Sequence, residues 1–221
     1  MKSHLLFLLI LPACAFSRFN GNQPADSPTL EKNLNHASAM MTKLYKKIDG
    51  RIHYWEIWEE AENNKLVIHL GVLGKTGEAF EIVEWDKQRR QNIYDQKIKE
   101  KKLEGYSEPD YQHHLTIQFP TDDQWGDPAD LKFRNTMWDV LNECLGWTGN
   151  GAVHGGDIGS GSANLFFDAV DPDIAVTTIV AVLKARGIRK QFKIALEVPT
   201  KGDDIDLKVL YPANYKGEFN Y

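Results

Sequence analysis

The 221-residue sequence predicts an α+β protein of two units, a small antiparallel sheet with one helix followed by a βαββαβ unit. Two patterns carry this reading: short runs that alternate apolar and polar residues between Gly, Asn and Pro, and longer stretches with apolar residues three and four apart. A polar stretch around Pro109 separates the two units. With 42% apolar and 26% charged residues, the composition is that of a folded chain and excludes a disordered or collagen-like one. The formal net charge of −5 lacks the basic field on which general nucleic-acid binding rests, so nucleic acid is not an expected partner.

At the N-terminus, Lys2 and His4 precede the apolar run 5–11, and Pro12, Ala13 and Cys14 follow. This basic, apolar, small-residue order predicts an export signal over residues 1–15. The run Leu11-Pro12-Ala13-Cys14 resembles a bacterial lipobox, which implies lipidation of Cys14; cleavage after Ala15 is the alternative. The apolar run is far shorter than the ~20 residues a spanning helix needs. Residues 16–41 are rich in Asn, Ser and Pro and predict a flexible tether. The expected location is the cell envelope, lipid-anchored, periplasmic or secreted, whereas a start at Met40 or Met41 would give a cytoplasmic protein.

The first unit spans residues 42–106. Strands are predicted from Lys43, over 51–58, over 65–73 with Leu66, Ile68 and Leu70 on one face, and over 79–85 with Trp85 available for burial. Residues 59–64 form a polar turn. Residues 86–103 are dense in Lys, Arg, Gln and Glu, with Ile93, Tyr94 and Ile98 as a narrow apolar stripe, and predict a helix closed by Gly105. The Lys97, Lys99, Lys101 and Lys102 cluster reads as a solvated face.

Trp55 and Trp58, the run Leu70-Gly71-Val72-Leu73-Gly74, a further strand, a helix and then Lys101, Gly105 and Tyr106 together resemble the WGR domain. Leu70, Gly71 and Val72 stand at the positions of that family's Trp-Gly-Arg run, and Gly74 keeps the spacing to its second glycine. In the family the Trp and Arg take part in contacts with DNA ends and neighbouring domains. Leu and Val can neither donate a side-chain hydrogen bond nor stack a base, so the substitution implies a protein-binding or structural role. The unit's 13 basic and 12 acidic residues supply no compensating field.

The second unit spans residues 107–221. Strands are predicted over 115–119, 165–170, 192–198 and 207–211, and helices over 131–145, opened by Asp127-Pro128, and over 172–186, closed by Gly187. The glycine-rich run 149–161 lacks the Gly-Lys-Ser/Thr ending of a phosphate loop and reads as a hairpin. The resulting βαββαβ order is the ferredoxin-like arrangement, an antiparallel sheet with two helices on one face. The segment 155–161 and the strand after it resemble small bacterial ferredoxin-like domains, some of which are immunity proteins. This unit carries 17 acidic and 10 basic residues. Asp122, Asp123, Asp203, Asp204 and Asp206 are the candidate partner-binding residues, able to mask a basic site on another protein.

No nucleophile elbow, dinucleotide fingerprint, His-x-x-x-His pair or paired-Cys spacing occurs, so neither catalysis, a cofactor nor a metal site is expected. Cys144 reads as a packed thiol, and Asp139 and Glu143 as a solvated pair one helical turn apart. The expected function is that of a non-catalytic envelope protein binding another protein. The alternatives are an intracellular protein associated with nucleic acid and an immunity-like toxin inhibitor.

Overall fold

The computed structural model describes residues 9–10, 41–109, 113–200, 204–217 and 219. The cleavage region of the predicted export signal, Cys14 and the predicted tether up to residue 40 lie outside the described residues, as does Asp203. The protein is a mixed α/β structure with two antiparallel sheets and three helices among the described residues. None of those helices is long and apolar enough to cross a membrane.

The first sheet is the meander β2 (Met41–Ile48), β3 (Arg51–Glu60), β4 (Lys65–Val72) and β5 (Glu78–Val83). The two-residue strand β1 (Leu9–Ile10) pairs with the outer edge of β5. Period-two alternation gives the sheet two different faces. Leu44, Trp55, Ile57 and Leu66 face α1 (Lys87–Leu103) and form a core with Tyr94 and, at its margin, Ile93, Ile98 and Tyr106. The opposite face carries cross-strand rows: Lys43, Glu56 and His69 in one, Tyr45, Tyr54 and Gly71 in the next. Trp85 was expected to be buried but is 77% exposed, because β5 ends at Val83 and leaves it outside the pleat.

The second sheet has the order β10 (Ile205–Tyr211), β9 (Lys193–Pro199), β6 (His113–Pro120), β8 (Ser162–Ala169) and β7 (Gly151–Gly159), every neighbour antiparallel. Leu115, Ile117, Phe119, Leu165, Phe167 and Ile194 point to one face, where α2 (Pro128–Gly146) and α3 (Pro172–Ala185) bury Met137, Leu141, Leu145, Ile179 and Leu183 against them. The other face is polar. Across β6, β8 and β7 runs the row Gln118, Asn164 and Asp157, with Gln118 Nε2 donating to Asn164 Oδ1 at 3.0 Å and Asn164 Nδ2 to Asp157 Oδ1 at 2.7 Å. Glycine-rich 149–161 holds β7 and the tight turn to β8, as a hairpin requires.

The two units are packed together. The Tyr45 hydroxyl donates to Gly149 O at 2.7 Å, Gly74 N donates to Thr148 O at 2.9 Å, and Tyr45, Tyr54 and Leu73 form a core with Val170 and Ile174. The first sheet is therefore covered by α1 on one face and by the second unit on the other.

Candidate functional site

Two of the positions that carry the resemblance, Gly71 and Gly74, have structural duties at this joint. A Cβ on Gly71 would lie 2.7 Å from the Tyr54 hydroxyl, so only glycine lets that ring cross the strand. Gly74 has φ +79°, donates to the second unit, and has Ile174 of α3 where a side chain would start. Leu70 is partly exposed, and Val72 is half-buried. Gly105 (φ +88°) ends α1 and turns Tyr106 back, so that the ring sits under Lys101 Nζ at 5.3 Å.

A buried polar group fills the joint. His69 Nδ1 lies 3.0 Å from Glu56 Oε2, Lys43 Nζ lies 3.0 Å from Glu56 Oε1, and His69 Nε2 lies 3.1 Å from the Tyr54 hydroxyl. Because a carboxylate only accepts, Nδ1 carries the proton toward Glu56. The Trp147 ring meets His69 edge-on at 4.9 Å, and burial, reinforced by the Glu56 charge, pushes the Tyr54 phenol above its ordinary pKa. A shallow pocket lined by Trp58, Asp139, Asn142 and Glu143 leads toward this group. Both nitrogens of His69 are occupied, and Glu56, His69 and Tyr54 are each 1% exposed, so the chemistry available there is that of a structural lock. Glu143, read from the sequence as half of an acidic pair, instead forms an ion pair with Arg186 at 2.6 Å. Cys144 is buried beside it, and burial pushes its thiol up to about 12.

The most presentable surface lies at the end of the second sheet where β6 leaves it. The loop 121–126 is held by Thr121 Oγ1 donating to Asp123 O, Trp125 N to Asp123 Oδ1 at 2.8 Å and Gly161 N to Gln124 O at 3.0 Å. It displays Asp122 and Asp123 beside the Trp125 indole, which is 74% exposed. Beyond the β7–β8 turn opens a groove of about 1100 Å³ lined by Lys184, Arg189, Lys190, Phe192 and Tyr215. Lys190 pairs with Asp130 at 3.1 Å, while Lys184 and Arg189 are exposed. The loop 121–126 adjoins this groove through the Gly161 N–H to Gln124 O bond, and Pro120 and Gly161 line it. Asp204 and Asp206 are also exposed, but the β9–β6 register puts them at the opposite end of the sheet, about 25 Å away along the strands. The acidic residues named from the sequence do not form one face. Neither Trp125 nor the basic groove is legible in the sequence, because their residues lie far apart in the chain, in a loop, a helix end and a strand start.

The structure also brings together a set that sequence spacing does not reveal. His114 on β6, Asp168 on β8 and His154 on β7 have ligand-capable atoms within 4.8 Å of one another. Comparison with protein-family models, with curated proteins and with solved structures returned no match.

Proposed function

We propose that the chain is a non-catalytic binding protein of the bacterial cell envelope, which uses the loop 121–126 of a ferredoxin-like unit to engage another protein. The observation that carries this reading is Trp125. A large indole left in water on a hydrogen-bonded loop is the kind of side chain that anchors interfaces, since Trp dominates hot spots and a fixed loop loses little entropy on binding. Asp122 and Asp123 beside it favour a partner that presents basic residues, and the exposed Lys184 and Arg189 of the neighbouring groove would disfavour a uniformly basic surface.

Strand order supports the ferredoxin-like reading: β9, β6, β8 and β7 stand fourth, first, third and second, all antiparallel, and β10 extends the β9 edge. The first unit acts as a WGR-like module turned to structural use, its two retained glycines serving the joint. The order of residues from Lys2 to Cys14 supports export.

The test captures partners on full-length protein and titrates each against variants. Trp125→Ala should weaken a specific partner by about tenfold or more, and the Asp122→Asn/Asp123→Asn pair should weaken it and flatten its salt dependence. The Asp204→Asn/Asp206→Asn pair, at the far end, should leave binding unchanged. A partner indifferent to Trp125→Ala would remove the loop as the site, and a soluble chain starting at Met40 or Met41 would remove the envelope.

A further inference from the structure

We infer that the open face of the second sheet carries a site for a divalent first-row transition ion of the zinc class, formed by His114, His154 and Asp168. The register explains why these three meet. His114 stands directly opposite Asp168 in the β6–β8 ladder, so their side chains share the face away from the helices. On the other side of β8, the pairing with β7 shifts between Val153 and Gly155, leaving His154 as the extra residue of a bulge. Regular pairing already places Ala152 opposite Asp168 and Gly155 opposite Phe166. The bulge inserts an imidazole between those positions and turns it toward the carboxylate, the re-aiming for which bulges are used next to functional sites. Gly155 and Gly156 permit this close approach, since a Cβ on Gly155 would touch the Phe166 ring at 3.0 Å and one on Gly156 would press on Asn164 O at 2.6 Å.

The geometry suits an ion. His154 Nε2 lies 3.3 Å from Asp168 Oδ1, the separation of two ligands about 2 Å from a tetrahedral centre. His114 Nδ1 lies 2.5 Å from the same oxygen and must open by under an ångström to reach that separation. The imidazoles are about half exposed and Asp168 about a third, so an ion and its water have access and the side chains are free to open slightly around it. Two imidazoles with one carboxylate select zinc-class ions over calcium or magnesium, which take oxygen ligands. With three protein ligands the ion keeps an open position for water or a ligand atom from elsewhere. Neither the partner-binding loop nor the buried joint is needed for it.

The experiment titrates the full chain with Zn²⁺ by calorimetry and with Co²⁺ by visible absorption, in buffer that does not chelate and with thiols kept reduced. One ion per chain is expected, with Co²⁺ bands typical of nitrogen and oxygen ligation and reversal by EDTA. His154→Gln and Asp168→Asn should each weaken binding by at least about tenfold, as loss of a direct ligand must exceed the 10–100-fold effect of a supporting group. His113→Gln, which alternation turns to the other side of β6, should leave binding unchanged. Thermal melts of the metal-free variants check that each remains folded. Absence of stoichiometric binding, or binding that survives both ligand substitutions in folded protein, overturns the site.

Discussion

Tyr54, Tyr94 and Cys144 share one property, a proton that folding holds on. Burial raises all three above their ordinary values, with Cys144 moving from 9.0 to about 12. The unfolded chain therefore releases these protons first, and stability must fall as pH rises. The contribution of Cys144 is complete below about pH 9 and disappears toward pH 12. Urea midpoints are expected to decline between pH 9 and pH 10.5, with a shallower decline in the Tyr54→Phe variant. The residues behind this behaviour were unequally legible. Cys144 sits among apolar helix positions and reads as a packed thiol. Glu56, His69 and Arg90 do not announce their burial, because a polar residue at an inward position looks in sequence like one at a solvated edge. Only the partners decide: Arg90 Nε donates to Glu59 Oε1 at 2.6 Å and its guanidinium to Glu84 O, while Lys43 pairs with Glu56 and His69 hydrogen-bonds it.

Helix ends were the most readable elements. Asp86, Asp127 and Asp171 each accept a hydrogen bond from the backbone N–H three residues on, and Pro follows the latter two at the first helical position. In α2 the box is reciprocal, with Asp130 accepting from Asp127 N. Asp127→Ala should therefore cost about 1 kcal/mol, read as a lower urea midpoint at unchanged slope. Strands that alternate, such as β6, were equally legible, since Leu115, Ile117 and Phe119 leave one arrangement open. The bulge at His154 was not. A single unpaired residue changes no composition and breaks no long period, so nothing in 149–161 distinguishes it from a plain glycine-rich hairpin, and the candidate ion site went unseen with it.

At the scale of the molecule, the two sheets share buried surface across the division that the sequence suggests at Tyr106. Ser107 pairs with Tyr45, which in turn donates to Gly149, so the strand that holds the start of the connection also touches the second unit. Calorimetry should give one transition in which the van 't Hoff and measured enthalpies agree. Two resolved transitions would mean that the joint contributes little. Such coupling was invisible in sequence because it depends on which face of the first sheet meets α3, and alternation specifies that there are two faces without saying what covers each.

The same joint sets a timetable during synthesis. The meander and α1 can close as soon as residue 106 has left the ribosome, but the face bearing Tyr54 and Leu73 is sealed only by Val170 and Ile174. About 65 residues separate Tyr106 from that cover, an interval of about 3–13 s at about 5–20 residues per second. For that interval the nascent chain displays two tyrosines and a leucine to the surrounding fluid, and until Trp147 arrives a carboxylate with its histidine as well. Any factor that keeps the growing protein from sticking to its neighbours must act on the first half of the chain while the second half is still being made.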